Sequence, residues 1–258
     1  LNYYLCLMIF VTGGTGLVGS HVLLQLSQQS KEFKALKRPF SSLDVCNRIF
    51  KYYNANNLFN SINWVEGDLN NIPSLEEAMS GCDLVLHCAG IVSFSQSDIQ
   101  LLKKVNIEGT ANLMNIALSS GVKKVGFVSS IAALGRNYSV GLVDEECHFK
   151  VTKKDSNYAL SKYFSEQEVW RASAEGLDVV IINPSIILGP GDWQKGSSKI
   201  FEKIYNGLNF YTDGSSGYVD VKDVAKSIIQ LLLSDVKNER FIVSGANLKY
   251  RDCFDMIA

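Results

Sequence analysis

A glycine-rich segment that directly follows a short apolar run is the feature that most restricts how this chain can fold. The run Leu7–Val11 is followed by TGGTGLVG at positions 12–19, which can be read as GxxGxxG or as GxGxxG, and then by apolar residues at helical spacing. Glycines let the backbone turn tightly and come close to a pyrophosphate. The free N–H groups at the start of the following helix attract its negative charge. The segment therefore predicts a strand, a turn and a helix that bind a dinucleotide. The expected contacts are Gly13, Thr15, Gly16, Leu17, Val18 and Gly19.

Short apolar runs alternate with helix-forming segments along most of the chain. Further strands are predicted at 33–36, 62–65, 84–87, 125–128 and 179–182, and the longest helices at Asp98–Ser119 and Asn157–Ala174. Strands separated by helices of this length form parallel sheets that helices cover on both faces. We therefore expect an α/β protein with a doubly wound parallel sheet.

The alternation loosens after Pro184, where glycine-rich segments interrupt it. We expect residues 7–183, joined by 218–235, to form the dinucleotide-binding domain. Residues 184–217 and 236–258 are then expected to form a smaller substrate-binding lobe. The chain stops inside an expected helix at 250–258, so this lobe is expected to be incomplete.

Charge and cysteine spacing argue against several other functions. With 25 Lys and Arg against 26 Asp and Glu, the chain lacks the basic balance typical of proteins that bind nucleic acid or acidic membranes. The six cysteines form no CxxC pair and the three histidines are far apart, so no metal site is predicted, although ligands distant in sequence would escape this test. The apolar N-terminal run lacks a basic start and a cleavage site, so we expect a strand rather than a signal peptide, and a cytoplasmic protein.

The end of the second strand indicates which dinucleotide is bound. An acidic residue here, about 20 positions past the glycine loop, would bind the ribose 2′-hydroxyl of NAD. This chain has Lys37 and Arg38 instead, and no carboxylate before Asp44. Because a guanidinium binds a 2′-phosphate that a carboxylate would repel, Arg38 favours NADP, with NAD still possible. The alternative is a solvated surface arginine.

Tyr158 and Lys162 are four residues apart, so both face the same side of one helix. A nearby ammonium group stabilises a phenolate and lowers the pKa of the phenol, which can then exchange a proton with a carbonyl oxygen. Tyr218 and Lys222 have the same spacing but fall across a turn and a helix start, so we interpret them as a chance match. The first pair differs because the preceding strand ends in Ser129-Ser130, where a hydroxyl can hold the substrate oxygen.

These motifs together resemble the extended short-chain dehydrogenase/reductases, also called the NAD-dependent epimerase/dehydratase family. The resemblance runs from about Met8 to Ala246. It rests on TGGTGLVG at 12–19, GDL at 67–69, HCAG at 87–90, VNIEGT at 105–110, VSS at 128–130, YALSK at 158–162, NPSIILGPGD at 183–192 and YVDVKDVA at 218–225. It implies an NAD(P)-binding Rossmann fold and a helix-mediated homodimer, for which Phe164, Val169 and Trp170 are candidate contacts.

The resemblance also implies roles for individual residues. Tyr158 would be the acid/base, and Lys162 would orient the nicotinamide ribose and lower the pKa of the tyrosine. Ser130 would be the catalytic serine and Asn106 would support the site. The remaining cofactor contacts would be Asp68 and Leu69 at the adenine, Ala89 and Gly90 along the cofactor, and Pro184 and Ser185 at the nicotinamide.

Departures from the family pattern narrow the reaction. Ile131 follows Ser130 where sugar dehydratases carry an acid, and Asn183 stands where many members have an arginine. The segment ALKRP with Arg38 looks more like the dihydroflavonol reductase-like and 3β-hydroxysteroid dehydrogenase-like branches. Our first hypothesis is therefore an NADP(H)-dependent oxidoreductase that acts on a carbonyl or secondary alcohol of a small organic substrate. A nucleotide-sugar epimerase with tightly bound NAD is the alternative, and a non-catalytic dinucleotide-binding protein is a third class.

Overall fold

The computed structural model describes residues 7–135, 143–208 and 210–258. Seven of its strands are β1 (Ile9–Thr12), β2 (Phe33–Lys37), β3 (Asn63–Glu66), β4 (Leu84–His87), β5 (Lys124–Val128), β6 (Asp178–Pro184) and β9 (Glu239–Val243). They form one sheet in the order β3-β2-β1-β4-β5-β6-β9, and all pairs are parallel. The order reverses at β1, which pairs with β2 on one side and β4 on the other. The doubly wound α/β fold predicted from the sequence is confirmed.

Ten α-helices lie in the described residues. They are α1 (Leu17–Gln28), α2 (Asp44–Tyr52), α3 (Asn56–Asn60), α4 (Ile72–Met79), α5 (Ile99–Leu102), α6 (Gly109–Ser119), α7 (Asn157–Ala174), α8 (Lys199–Tyr205), α9 (Val221–Leu232) and α10 (Tyr250–Ile257). No helix of the described ranges is both long enough and apolar enough to cross a membrane.

The core consists of two apolar clusters, one on each face of the central sheet. On one face α1 and α9 pack against it through Val22, Leu26 and Ile228. On the other face α4, α6 and α7 do so through Leu75, Leu113 and Val169. Because both faces are covered, the central strands are apolar on both sides, which explains why they occur in the sequence as continuous apolar runs.

Three further strands, β7 (Ile186–Leu188), β8 (Ser215–Asp220) and β10 (Ala246–Lys249), form a small second sheet in the order β10-β8-β7. The structure differs here from the expected boundary, which assigned 236–258 to the lobe. β9 extends the central sheet beside β6, with Phe241 opposite Ile182. The chain returns to this edge through α9, and β9 pairs with β6 in parallel.

The single helix expected at Asp98–Ser119 is interrupted. α5 is followed by a π-helical stretch, Lys103–Glu108, before α6 continues. Such wider turns inside helices are frequent at functional sites. Here the stretch places Asn106, which is buried, toward the carboxyl end of the sheet's centre.

Candidate active site

The glycine loop between β1 and α1 leaves no room for side chains at two positions. Gly13 has φ +72°, and a Cβ there would lie 2.5 Å from the backbone N of Ala89. A Cβ at Gly19 would overlap the carbonyl group of Gly13. Gly16 precedes α1 without a side-chain cap on the helix N–H groups. This close-packed turn with free N–H donors fits a dinucleotide pyrophosphate.

The ends of β2 and β3 lie side by side, because the Gly67 N–H donates to the Lys37 carbonyl at 3.1 Å, and β2 also pairs with β1, the strand that leads into this loop. Arg38 is exposed, and none of the described acidic residues forms an ion pair with it, whereas Lys37 pairs with Glu66. Asp68 accepts a hydrogen bond from the Asn70 N–H at 2.8 Å. The structure therefore brings Arg38 and Asp68 to one edge, with a free guanidinium available for an anionic group.

Buried polar side chains link the glycine loop to Asn106. Thr110 Oγ1 donates to the Asn106 carbonyl, so the His87 Nε2–H donates to Thr110 Oγ1 at 2.9 Å. The neutral ring then accepts at Nδ1 from Thr12 Oγ1, 2.7 Å away. Burial lowers the pKa of His87 to about 3, which keeps the ring neutral. His87 lies in the HCAG motif at 87–90, from which no role was predicted for it.

Asn106 fastens the segment after β4 to α7. Its Oδ1 accepts from the Ile91 N–H at 2.8 Å, and its Nδ2 donates to the Ile91 carbonyl and to Ser161 Oγ. A Cβ at Gly90 would lie 3.6 Å from Asn106 Oδ1 and 3.9 Å from Lys162 Nζ. Ala89 and Gly90 therefore lie between the glycine loop and α7, as a cofactor contact requires.

Tyr158, Lys162 and Ser130 meet where β5 ends against α7. The helix begins after Ser156, whose hydroxyl caps the Ala159 N–H at 3.1 Å, and this start places Tyr158 in the first turn. The Ser130 hydroxyl lies close enough to the phenol to lower its pKa. Phe94, which is 71% exposed, contacts the phenol ring edge-on with centroids 5.7 Å apart.

The pKa of Tyr158 is raised and not lowered, contrary to the expectation from the sequence. Burial raises the pKa of the phenol, and the nearby Ser130 hydroxyl offsets only part of this. Lys162 Nζ instead donates to the Val128 carbonyl at 2.9 Å and lies 4.5 Å from the centre of the Phe127 ring. Burial lowers the pKa of Lys162 to about 8.

The two adjacent serines differ in what they contact. Ser129 Oγ donates to Glu166 Oε2 at 2.6 Å, so its proton is committed, whereas Ser130 Oγ accepts from the Ala132 N–H at 3.1 Å and keeps its own proton for another acceptor. This arrangement supports Ser130 as the serine of the site. The sequence gives no signal for Glu166, which is 1% exposed, because its partners Ser129, Asn183 and Arg240 are distant in sequence and lie on or beside three different strands.

Pro184 and Ser185 lie at the end of β6, and both are buried. The Ser185 hydroxyl has no hydrogen-bond partner among the described residues, which fits a ligand group at this position. Tyr218 is buried in β8, and Lys222 lies on α9 paired with Asp220. The second tyrosine–lysine pair therefore shares no helix face.

Comparison with known proteins shows which family this chain belongs to. Residues 9–244 match the model of the NAD dependent epimerase/dehydratase family. A Synechocystis sp. protein provisionally named dihydroflavonol 4-reductase is 35% identical over 84% of this chain, and Petunia hybrida cinnamoyl-CoA reductase 1 is 30% identical over 75% of it. Each match covers 60% of the relative, so the chain spans less than two thirds of their length.

Solved structures share the fold over nearly the whole chain. The gox2253 crystal structure has a TM-score of 0.82 with 31% identity, covering 97% of this chain and 73% of that one. Candida albicans Gre2 with NADPH and Thermus thermophilus UDP-glucose 4-epimerase with NAD both score 0.79, with 22% and 23% identity; they cover 97% and 98% of this chain, and it covers 82% of each. Since the family model matches most of the sequence, the protein belongs to the NAD-dependent epimerase/dehydratase family, the extended short-chain dehydrogenase/reductases.

Proposed function

We propose that this protein is an NADP(H)-dependent oxidoreductase that transfers a hydride between the nicotinamide and a carbonyl or secondary alcohol of a small organic substrate. The observation that carries the proposal is the meeting of Ser130, Tyr158 and Lys162 at the end of β5. Ser130 is close enough to act on the pKa of the Tyr158 phenol, and Lys162, one turn along the same helix, donates to the Val128 carbonyl two residues before Ser130. The names of the relatives, a dihydroflavonol 4-reductase and a cinnamoyl-CoA reductase, support the same reaction class.

The residues that would hold the cofactor follow the carboxyl ends of the central strands. The glycine loop would bind the pyrophosphate, with Arg38 at the 2′-phosphate and Asp68 and Leu69 at the adenine. The nicotinamide half would lie along Ala89 and Gly90. The remaining proposed contacts at this end are Pro184, Ser185, Tyr158 and Lys162.

The chemistry that the bound nicotinamide supplies is hydride donation to the carbonyl carbon. Tyr158 gives its phenol proton to the carbonyl oxygen, and the Ser130 hydroxyl holds that oxygen beside the phenol. Burial keeps the phenol protonated near neutral pH, which suits a proton donor and therefore the direction of reduction. Lys162, when protonated, stabilises the phenolate that is left, and Asn106 keeps α7 in place.

Nucleotide-sugar epimerisation with tightly bound NAD is the alternative, since an NAD-bound epimerase shares the fold. The free guanidinium of Arg38 favours NADP instead.

We further propose that β7, β8, β10, α8 and α10 form the substrate lobe and that the protein works in the cytoplasm as a homodimer through α7. Phe164 is 43% exposed on that helix, whereas Val169 is buried in the core and is not available for such contacts.

The test is a titration of the purified protein with NADPH and NADH after any retained nucleotide has been identified, followed by a panel of carbonyl substrates. Tyr158→Phe is expected to lower kcat by about 10²–10⁴-fold while NADPH affinity stays within about threefold. Tyr52→Phe, at an exposed tyrosine on α2, is the matched control. Retained NAD(H) with sugar epimerisation, or full turnover by the Tyr158→Phe variant, would refute the proposal.

A further inference from the structure

Glu166 is a buried carboxylate whose two oxygens are fully occupied by donors. It lies one helical turn beyond Lys162 on α7 and is 1% exposed. Its hydrogen bonds are those from Ser129 Oγ (2.6 Å) and Asn183 Nδ2 (2.8 Å) to Oε2, and from Trp170 Nε1 (3.3 Å) and Arg240 Nη1 (3.1 Å) to Oε1. A buried charge is strongly unfavourable unless it is paired and hydrogen-bonded, so this set of donors is what makes the carboxylate tolerable.

Two of these donors hold the backbone around the serine of the site. Ser129 is the residue next to Ser130, and its N–H donates to the Ile182 carbonyl at 2.8 Å. Asn183 Nδ2 donates both to Glu166 and to the Ser130 carbonyl, 3.0 Å away. Glu166 therefore sets the orientation of the Asn183 side-chain amide, which donates to the Ser130 carbonyl.

Arg240, on β9, connects the same carboxylate to the segment that precedes α7. Its guanidinium donates to the carbonyls of Glu145 and Cys147 as well as to Glu166. The Cys147 carbonyl also accepts from the Gly135 N–H, five residues after Ser130. Hydrogen bonds thus run from Ser130 through Asn183, Glu166 and Arg240 and return to its own loop.

We propose that Glu166 and Arg240 are positioning residues, which fix the backbone of Ser130 so that its hydroxyl meets the Tyr158 phenol. The inference rests on the proposed function and names residues that the function did not include. Stability alone does not call for such a pair, because apolar residues of similar volume often replace buried ion pairs at no loss, or with a gain. A role in positioning the backbone of Ser130 explains why a buried ion pair, Glu166 with Arg240, is present here.

The central test is Glu166→Gln. Arg240 and Trp170 can only donate, so the new amide keeps its oxygen towards them and turns its NH2 group towards Asn183. Asn183 must then turn its side chain to accept, which releases the Ser130 carbonyl. We expect kcat to fall by about 10–100-fold, as for a small displacement of a reacting group, while KM and NADPH affinity stay within about threefold. Glu168→Gln is the matched control, because Glu168 is also on α7 and paired with an arginine, Arg171, but on the outer face.

Asn183→Ala provides a second variant in case Glu166→Gln does not fold, and a similar loss of kcat is expected. A readout independent of turnover is the ultraviolet titration of the phenol, taken as the difference between each protein and its Tyr158→Phe version. Because the nearby Ser130 hydroxyl lowers the pKa of Tyr158, displacing Ser130 should raise that pKa further. An unchanged kcat and phenol titration in the folded variants would overturn the proposal, as would a loss of NADPH binding in proportion to kcat. If the parent protein reduces no carbonyl, the proposed function fails, and the phenol titration still decides the inference.

Discussion

Replacing Lys162 with methionine should stabilise the protein while abolishing its activity. Lys162 is 5% exposed, and burial lowers its pKa from 10.5 to about 8. The groups that interact with it electrostatically are Glu166, Cys88 and His87. A shift from 10.5 to 8, at about 1.4 kcal/mol for each pKa unit, corresponds to about 3 kcal/mol that the buried ammonium costs the folded state.

The sign of this cost fixes its pH dependence. Below pH 8 the lysine is protonated in both folded and unfolded protein, so the whole cost is present. Between pH 8 and 10.5 the unfolded chain binds the proton and the folded protein does not, so stability rises with pH. Methionine has no such charge. The advantage of Lys162→Met over the parent should therefore be greatest below pH 8 and shrink by about 3 kcal/mol by pH 10.5.

The assay is urea unfolding of the parent and of Lys162→Met at about pH 7 and about pH 10.5, on either side of the shift. The lost hydrogen bond to the Val128 carbonyl subtracts about 1 kcal/mol from the gain below pH 8, where the lysine is charged. Lys104→Met, at an exposed position, is the control and should show little difference at either pH. A difference for Lys162→Met that stays constant with pH would refute the reasoning.

Three other predictions concern the cofactor and the proton donor. Gly19→Ala should abolish dinucleotide binding in a fluorescence titration, because the added methyl overlaps the Gly13 carbonyl, whereas Gly81→Asn should retain binding, because the space around Gly81 is open and asparagine tolerates its φ of +73°. Arg38→Ala should weaken NADPH about tenfold or more and leave NADH unchanged, as expected for one charge-assisted hydrogen bond; equal effects on both would contradict this. The kcat/KM for reduction should fall as pH rises above about 8, where Lys162 loses its proton, and a profile that stays flat to about pH 10 would show that the charge is not needed.

The parts of the site that lie at strand ends and within one helix could be predicted from the sequence. A parallel sheet collects the carboxyl ends of its strands at one edge, so the glycine loop, Ser130 and Pro184 had to come together there. Helical spacing alone placed Tyr158 and Lys162 on one face. The bounds of α7 agree with the prediction because both ends carry local signals: Ser156 caps its start, and Gly176 follows its end.

Contacts between residues distant in sequence could not be predicted. Glu166 and Arg240 are 74 positions apart, and no local pattern marks them as partners. The π-helical stretch that carries Asn106 leaves the apolar spacing of a helix almost intact, so one continuous helix was expected. The raised pKa of Tyr158 depends on burial in the assembled protein, which spacing does not report.

The position of β9 at the end of the sheet has a consequence for synthesis of the chain. The ribosome makes Glu166 well before its counter-ion, so a nascent chain carries the carboxylate while the edge of β6 is still open. Docking of β9 on that edge brings Arg240 to the carboxylate, which makes completion of the sheet and neutralisation of the charge a single event. Because an uncompensated carboxylate resists burial, β5, β6 and α7 should close firmly around it only when β9, the last strand of the central sheet, arrives.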